Sequence, residues 1–192
     1  MSNRDRRLAA LAQEIAYLLR SLEVQDISFK FGSQMIFPST WSKVADALVG
    51  ASPRISVQVA PGELIRQRAA ATYNLQANCL MFRSFLVPKF AEGRGAIVHE
   101  CLHAIQDKHQ LKGDTSEIEA AAHVAEAWYH INAGTRRASP FRGELMELVE
   151  KIRSRKLASM PAILTTEEQG RFKAAISTGG YYKDRQISFN GW

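Results

Sequence analysis

A chain of 192 residues, 46% apolar and 23% charged, has the composition of an ordinary soluble globular protein, long enough for one domain with a real core. It contains no run of about 18 apolar residues, which excludes a membrane-spanning helix, and its N-terminus leads into an amphipathic helix with no apolar signal core. The net charge of +6 is scattered over Arg4, Arg6, Arg7, Arg136, Arg137, Arg153, Arg155 and Lys156, with no basic stripe interleaved with aromatics, so solvated surface is expected and a nucleic-acid partner is not. Cys79 and Cys101 are the two cysteines, which argues against a disulfide framework and makes a reducing cytoplasm the expected location.

Residues 4–22 keep a helical period through Leu8, Leu11, Ile15, Leu18, Leu19 and Leu22. Ile27 to Phe31 alternates as a strand ended by Gly32, and Pro38-Ser39-Thr40 opens a helix to about Leu48. A second strand covers Ile55 to Val59, closed by Pro61-Gly62, and a brief helix is expected over 63–70. Tyr73 to Phe82 is expected as a third strand, with Leu75, Ala77, Cys79 and Met81 on one face. Gly93 and Gly95 are expected to break the chain before the next helix, which stops by Gly113. A helix follows from about Glu117 to Ala133, with Gly134 as its stop. Pro140 introduces another to about Lys156, and Thr165 with Glu168 forms a capping box for a last helix through Ile176. The tail carries Gly179-Gly180-Tyr181-Tyr182 and a strand-like Gln186 to Phe189. The expected fold class is α+β, predominantly helical, in one domain over 1–192.

One stretch carries chemistry. Residues 96–105 contain H-E-x-x-H at His99, Glu100 and His103. Two histidines at i and i+4 share one face of a helix and can share one Zn²⁺, with the intervening glutamate beside the open coordination position. The phase agrees: Ile97, Val98, Cys101, Leu102, Ala104 and Ile105 gather on one face, and the histidines project from the opposite one.

A catalytic zinc needs a third protein ligand. Glu119 lies in a narrow polar stripe with His123, Glu126 and His130 on an otherwise apolar, Ala-rich helix. Such a stripe costs free energy unless something satisfies it, and a metal would. A cap with Ser116 competes for Glu119, but Asp114 with Glu117 offers an equally good one and leaves Glu119 as the favoured ligand. His109 follows His103 at the interval of H-E-x-x-H-x-x-G-x-x-H peptidases, but Gln106 stands where that pattern needs glycine. His123 is a third candidate, better suited to orienting a ligand or donating to a substrate oxygen.

With these residues the chain resembles a zincin metallopeptidase, more narrowly a small gluzincin, over roughly residues 73–133. The resemblance implies Zn²⁺ bound by His99, His103 and Glu119, with Glu100 as catalytic base. It also implies a zincin-like core whose small antiparallel sheet precedes the motif helix and lays an edge strand, expected within 73–82, beside an extended peptide or protein substrate. Many gluzincins carry an aspartate one turn after the glutamate ligand, to hold a metal-binding histidine; His123 stands there instead. The expected function is that of a zinc-dependent peptidase acting through metal-activated water, with His123, Tyr181 and Tyr182 as candidates to stabilise the oxyanion. Two alternatives share the same motif: a non-catalytic zinc protein that uses the site structurally or as a sensor, and a secreted peptidase toxin.

Overall fold

The computed structural model describes residues 1–60, 69–111, 114–139 and 141–178. Helix α1 (Asn3–Leu19) is opened by a capping box in which Ser2 and Asp5 exchange side-chain and backbone contacts. It ends at Leu19, and the expected continuation to 22 is instead a separate turn of helix, α2 (Leu22–Gln25). Strands β1 (Phe29–Phe31) and β2 (Gln34–Ile36) form a hairpin whose turn holds Gly32 at φ +57°, a conformation glycine adopts without steric cost. Helix α3 (Pro38–Val49) starts on its proline as expected.

Strand β3 (Ser56–Val59) follows, and then the expectation of one long strand fails. Residues 73–82 split into β4 (Ala71–Asn74) and β5 (Cys79–Phe82), an antiparallel hairpin. Asn74 turns the chain by accepting backbone N–H bonds from Gln76 (3.0 Å) and Ala77 (3.1 Å), and Asn78 takes a left-handed φ of +46°. The helix expected at 63–70 lies mostly outside the described residues, and the part described, 69–70, is not helical.

The motif helix α4 (Ala91–Lys108) and its partner α5 (Thr115–Asn132) are the longest elements and pack along one another. α4 stops at Gln110, left-handed at φ +49°, where the Leu111 N–H reaches back to the Gln106 carbonyl. α5 is capped by Asp114, which accepts from the Glu117 N–H at 2.7 Å. Gly134 ends it at φ +67°, as expected. Helix α6 (Glu144–Ser154) is shorter than expected, and strand β6 (Ala162–Ile163) was not foreseen. Helix α7 (Thr166–Thr178) carries the expected capping box of Thr165 and Glu168. The tail features from Gly179 to Trp192 lie outside the described residues.

The fold is α+β, but the sheets are mixed, not antiparallel. One runs β2-β1-β6 and the other β3-β5-β4, each with one antiparallel and one parallel pairing. The parallel pairings arise because β3 and β6 join their sheets from distant parts of the chain. One buried apolar cluster links them to the helices, with Trp41, Trp128, Phe29, Phe31 and Phe82 at its centre. Cys79 and Cys101 are buried and free. Among the described residues no helix is long and apolar enough to cross a membrane.

Candidate metal centre

α4 and α5 are joined by a short connection and run antiparallel, so steps forward on one helix match steps back on the other. Gly95 meets His130, His99 meets Glu126, and His103 meets Glu119. Gly93 and Gly95 therefore lie inside α4 rather than before it. A Cβ on Gly95 would sit 2.2 Å from His130 Nε2, and the equivalent atom on Gly93 would collide with the Val87 carbonyl. Both glycines serve close packing at the start of the helix.

The motif residues stand as the spacing requires. His99 Nε2 and His103 Nε2 are 3.1 Å apart. Glu119 Oε2 lies 3.3 Å from the first and 3.5 Å from the second. These three donors form a nearly equilateral triangle. Tetrahedral coordination with bonds of about 2.0–2.1 Å has ligand–ligand edges of about 3.3–3.4 Å, so the triangle has the size of one face of such a polyhedron. All three side chains are largely withdrawn from solvent, and Glu119 Oε2 has no hydrogen-bond partner. A buried carboxylate oxygen left unpaired is costly, and a cation at the triangle removes that cost. The residues present fit a metal ion.

Behind each histidine stands a group that fixes it. The Nδ1 of His103 faces Gln106 Oε1 at 2.8 Å. Gln106, fully buried, donates its own amide to Gln34 Oε1 (2.8 Å) and the Ile118 carbonyl (3.0 Å), which sets its oxygen toward His103. Gln106 entered the sequence argument only as a missing glycine. Glu126 Oε2 lies 3.3 Å from His99 Nδ1 and 3.1 Å from His123 Nδ1. A carboxylate there favours a proton on Nδ1 of both rings and leaves each Nε2 as the lone pair. Glu126, one helical turn beyond His123 along α5, thus reaches both rings. Its place in the polar stripe was the sequence signal for it.

Glu100 lies beside the triangle, its carboxylate accepting the Tyr73 backbone N–H at 2.7 Å. A donor atom from each of His99, Glu100 and His103 falls within 4.8 Å of the others, as does a second set from His99, Glu119 and His123. The His123 ring packs edge-on against His99 at 4.4 Å between centroids, with Phe141 at 5.8 Å on another side. His109 is at the exposed end of α4 and joins neither set. Tyr181 and Tyr182 lie outside the described residues.

The charges follow the geometry. Burial opposes ionisation of Glu119, yet the two imidazoles hold its pKa far below the carboxylate range. Burial likewise opposes the charged form of His99, but Glu119 and Glu126 outweigh it and raise its pKa well above the ordinary value. His103 is raised by Glu119 against the same burial. His123 is lowered, by burial first and by the neighbouring charge of His99. Glu100 is raised, mainly by burial, against the opposing pull of His99 and His103.

β4 brings its outer edge to this centre. The Arg83 N–H donates to the Ala70 carbonyl, so in the β4–β5 ladder Thr72 and Asn74 point their backbone groups at β5. Ala71 and Tyr73 point theirs away from it, which is how the Tyr73 N–H reaches Glu100. Among the described residues β4 pairs only with β5.

Comparison with known proteins gives no further constraint: the chain matches no protein-family model, no curated protein and no solved structure.

Proposed function

We propose that this protein is a zinc-dependent peptidase that hydrolyses peptide bonds, with a zincin-like centre. The observation that carries the reading is the triangle of His99, His103 and Glu119 donors, 3.1–3.5 Å on edge, with Glu100 beside it. Two imidazoles and one carboxylate suit zinc among the common divalent ions. When bound, the ion supplies Lewis acidity to water and to the scissile carbonyl. Glu100 takes a proton from the attacking water and passes it to the leaving amine nitrogen as the C–N bond breaks. Apart from the Tyr73 N–H held by Glu100, the main-chain groups of Ala71 and Tyr73 on the outer edge of β4 are unpaired in any sheet among the described residues. They are offered to an extended peptide laid beside Glu100, which favours an unbroken peptide or protein segment as substrate. His123, its Nδ1 at Glu126 Oε2, would serve a developing oxyanion only as the imidazolium, with Nε2 also protonated.

A second reading has an observation of its own. His123 adds an imidazole to the donors around His99 and Glu119. If it serves as a fourth protein ligand, the sphere is closed and the zinc is structural.

Glu100→Gln separates the two. The peptidase reading expects the variant to retain zinc and to lose cleavage of an unfolded protein substrate by about 100-fold or more. Equal cleavage by both proteins overturns it, and zinc-loaded wild type without cleavage of any substrate favours the structural reading.

A further inference from the structure

α4 carries a second polar feature on the face turned away from its histidines. At about 100° per residue, Arg94 projects roughly 160° from His99 and His103. It lines a cleft of about 450 Å³ together with Glu14, Tyr17, Leu18, Glu23 and Tyr129. That is the size of a small-molecule pocket.

The charges in this cleft are unbalanced in a specific way. The Arg94 guanidinium makes no hydrogen bond or ion pair with any described residue, and its Nε is buried without a partner. It also sits in the first turn of α4, where the helix dipole disfavours a cation. An unpaired, partly buried arginine in that position costs stability unless an anion meets it. Glu14 is already held by Lys89 at 2.6 Å. Glu23 lines the same cleft; Ser21 and the more distant Arg94 charge lower its pKa, yet it forms no ion pair among the described residues. Leu18 and the two tyrosine rings add an apolar wall.

An arginine and a glutamate that feel each other's charge across the cleft without making an ion pair, beside an aliphatic-aromatic wall, make the complement of a small zwitterion. We propose that this cleft binds a free α-amino acid with an aliphatic side chain, its carboxylate on Arg94 and its ammonium near Glu23. The site is distinct from the metal centre and does not depend on the peptidase reading.

The test titrates L-leucine into the full chain, followed by NMR or calorimetry, in parallel with 4-methylpentanoate, 3-methylbutylamine and inorganic phosphate. The expected result is saturable binding of leucine, with each single-charge analogue about tenfold weaker or more, the loss of one ion pair. Arg94→Gln and Glu23→Gln each weaken leucine binding by about tenfold or more while zinc content is unchanged. Arg94→Gln changes thermal stability little, since the arginine loses only the attraction of Glu23 across the cleft. Absence of saturable leucine binding overturns the proposal. So does leucine binding unaffected by both variants, or phosphate binding as tightly as leucine, which marks a plain anion site.

Discussion

Glu126 grips His99 from behind: its Oε2 lies 3.3 Å from Nδ1, on the side of the ring opposite the Nε2 that faces His103 and Glu119. The same oxygen lies 3.1 Å from His123 Nδ1. One carboxylate thus hydrogen-bonds one imidazole and lies in close charge contact with the other. Glu126→Ala is expected to weaken zinc binding by about 10- to 100-fold, the usual effect of losing such a support. Glu126→Gln, which keeps an oxygen acceptor, is expected to fall between the two. Competition with a chromogenic chelator measures both, and unchanged affinity in Glu126→Ala contradicts the assignment.

Gln106 does for His103 what Glu126 does for His99, without a charge. Gln106→Leu leaves the Ile118 carbonyl and the Gln34 amide without their donor inside the protein. The expected cost is about 1–3 kcal/mol by urea denaturation, with a loss of zinc affinity of about tenfold. Gln34→Leu is expected to lower stability with a smaller effect on zinc, because Gln34 does not touch His103. Equal zinc affinity in Gln106→Leu and wild type contradicts the positioning role.

Part of this was legible in the sequence. His99, Glu100 and His103 follow from spacing alone, and Glu119 from the polar stripe on a helix otherwise buried. The freedom of Glu119 rested on Asp114 capping α5, and Asp114 does so. The support shell is only partly legible: Glu126 stands in the polar stripe and Gln106 lies three residues after His103 on α4, but one-dimensional spacing carries no register to bring Glu126 to His99 or Gln34 to Gln106. The β4–β5 hairpin reads as one strand because Leu75, Ala77, Cys79 and Met81 alternate through the turn as a strand would, and the turn residues Asn74 and Asn78 fall on the opposite, polar phase. Strands β2 and β6, of three and two residues, are too short to show a period at all. Gly93 and Gly95 read as helix breakers in one dimension, whereas tertiary packing against Val87 and His130 is what requires them.

That packing gives a stability prediction. Gly95→Ala places a methyl group 2.2 Å from His130 Nε2, a distance no relaxed contact allows. It is expected to cost about 1–3 kcal/mol despite the better helix propensity of alanine. The His130→Ala background removes the obstacle, so the double variant recovers part of the loss. Strict additivity of the two substitutions in denaturant contradicts the contact.

Asp26 ties three elements together, accepting from Lys156, from Trp128 Nε1 at 3.3 Å and from Asn132 Nδ2 at 3.2 Å. Burial alone would raise its pKa, but these donors outweigh it and hold it below the ordinary aspartate value. The unfolded chain therefore binds more protons in that window, and the stabilisation is fully present above the ordinary value. It is lost as pH falls through the folded value. Asp26→Asn is expected to cost about 1 kcal/mol at pH 7, a modest figure because the carboxylate is partly open to solvent. The gap to wild type closes on acidification, and a gap that widens below pH 4 contradicts the sign.

The most direct test is zinc stoichiometry by elemental analysis on wild type, His103→Ala, Glu119→Ala and His109→Ala, each purified in parallel and reconstituted with zinc. The account predicts about one zinc per chain in wild type and His109→Ala, and its loss in His103→Ala and Glu119→Ala. Zinc retained in Glu119→Ala, or no zinc in any sample after reconstitution, contradicts the ligand triangle and with it the proposed peptidase.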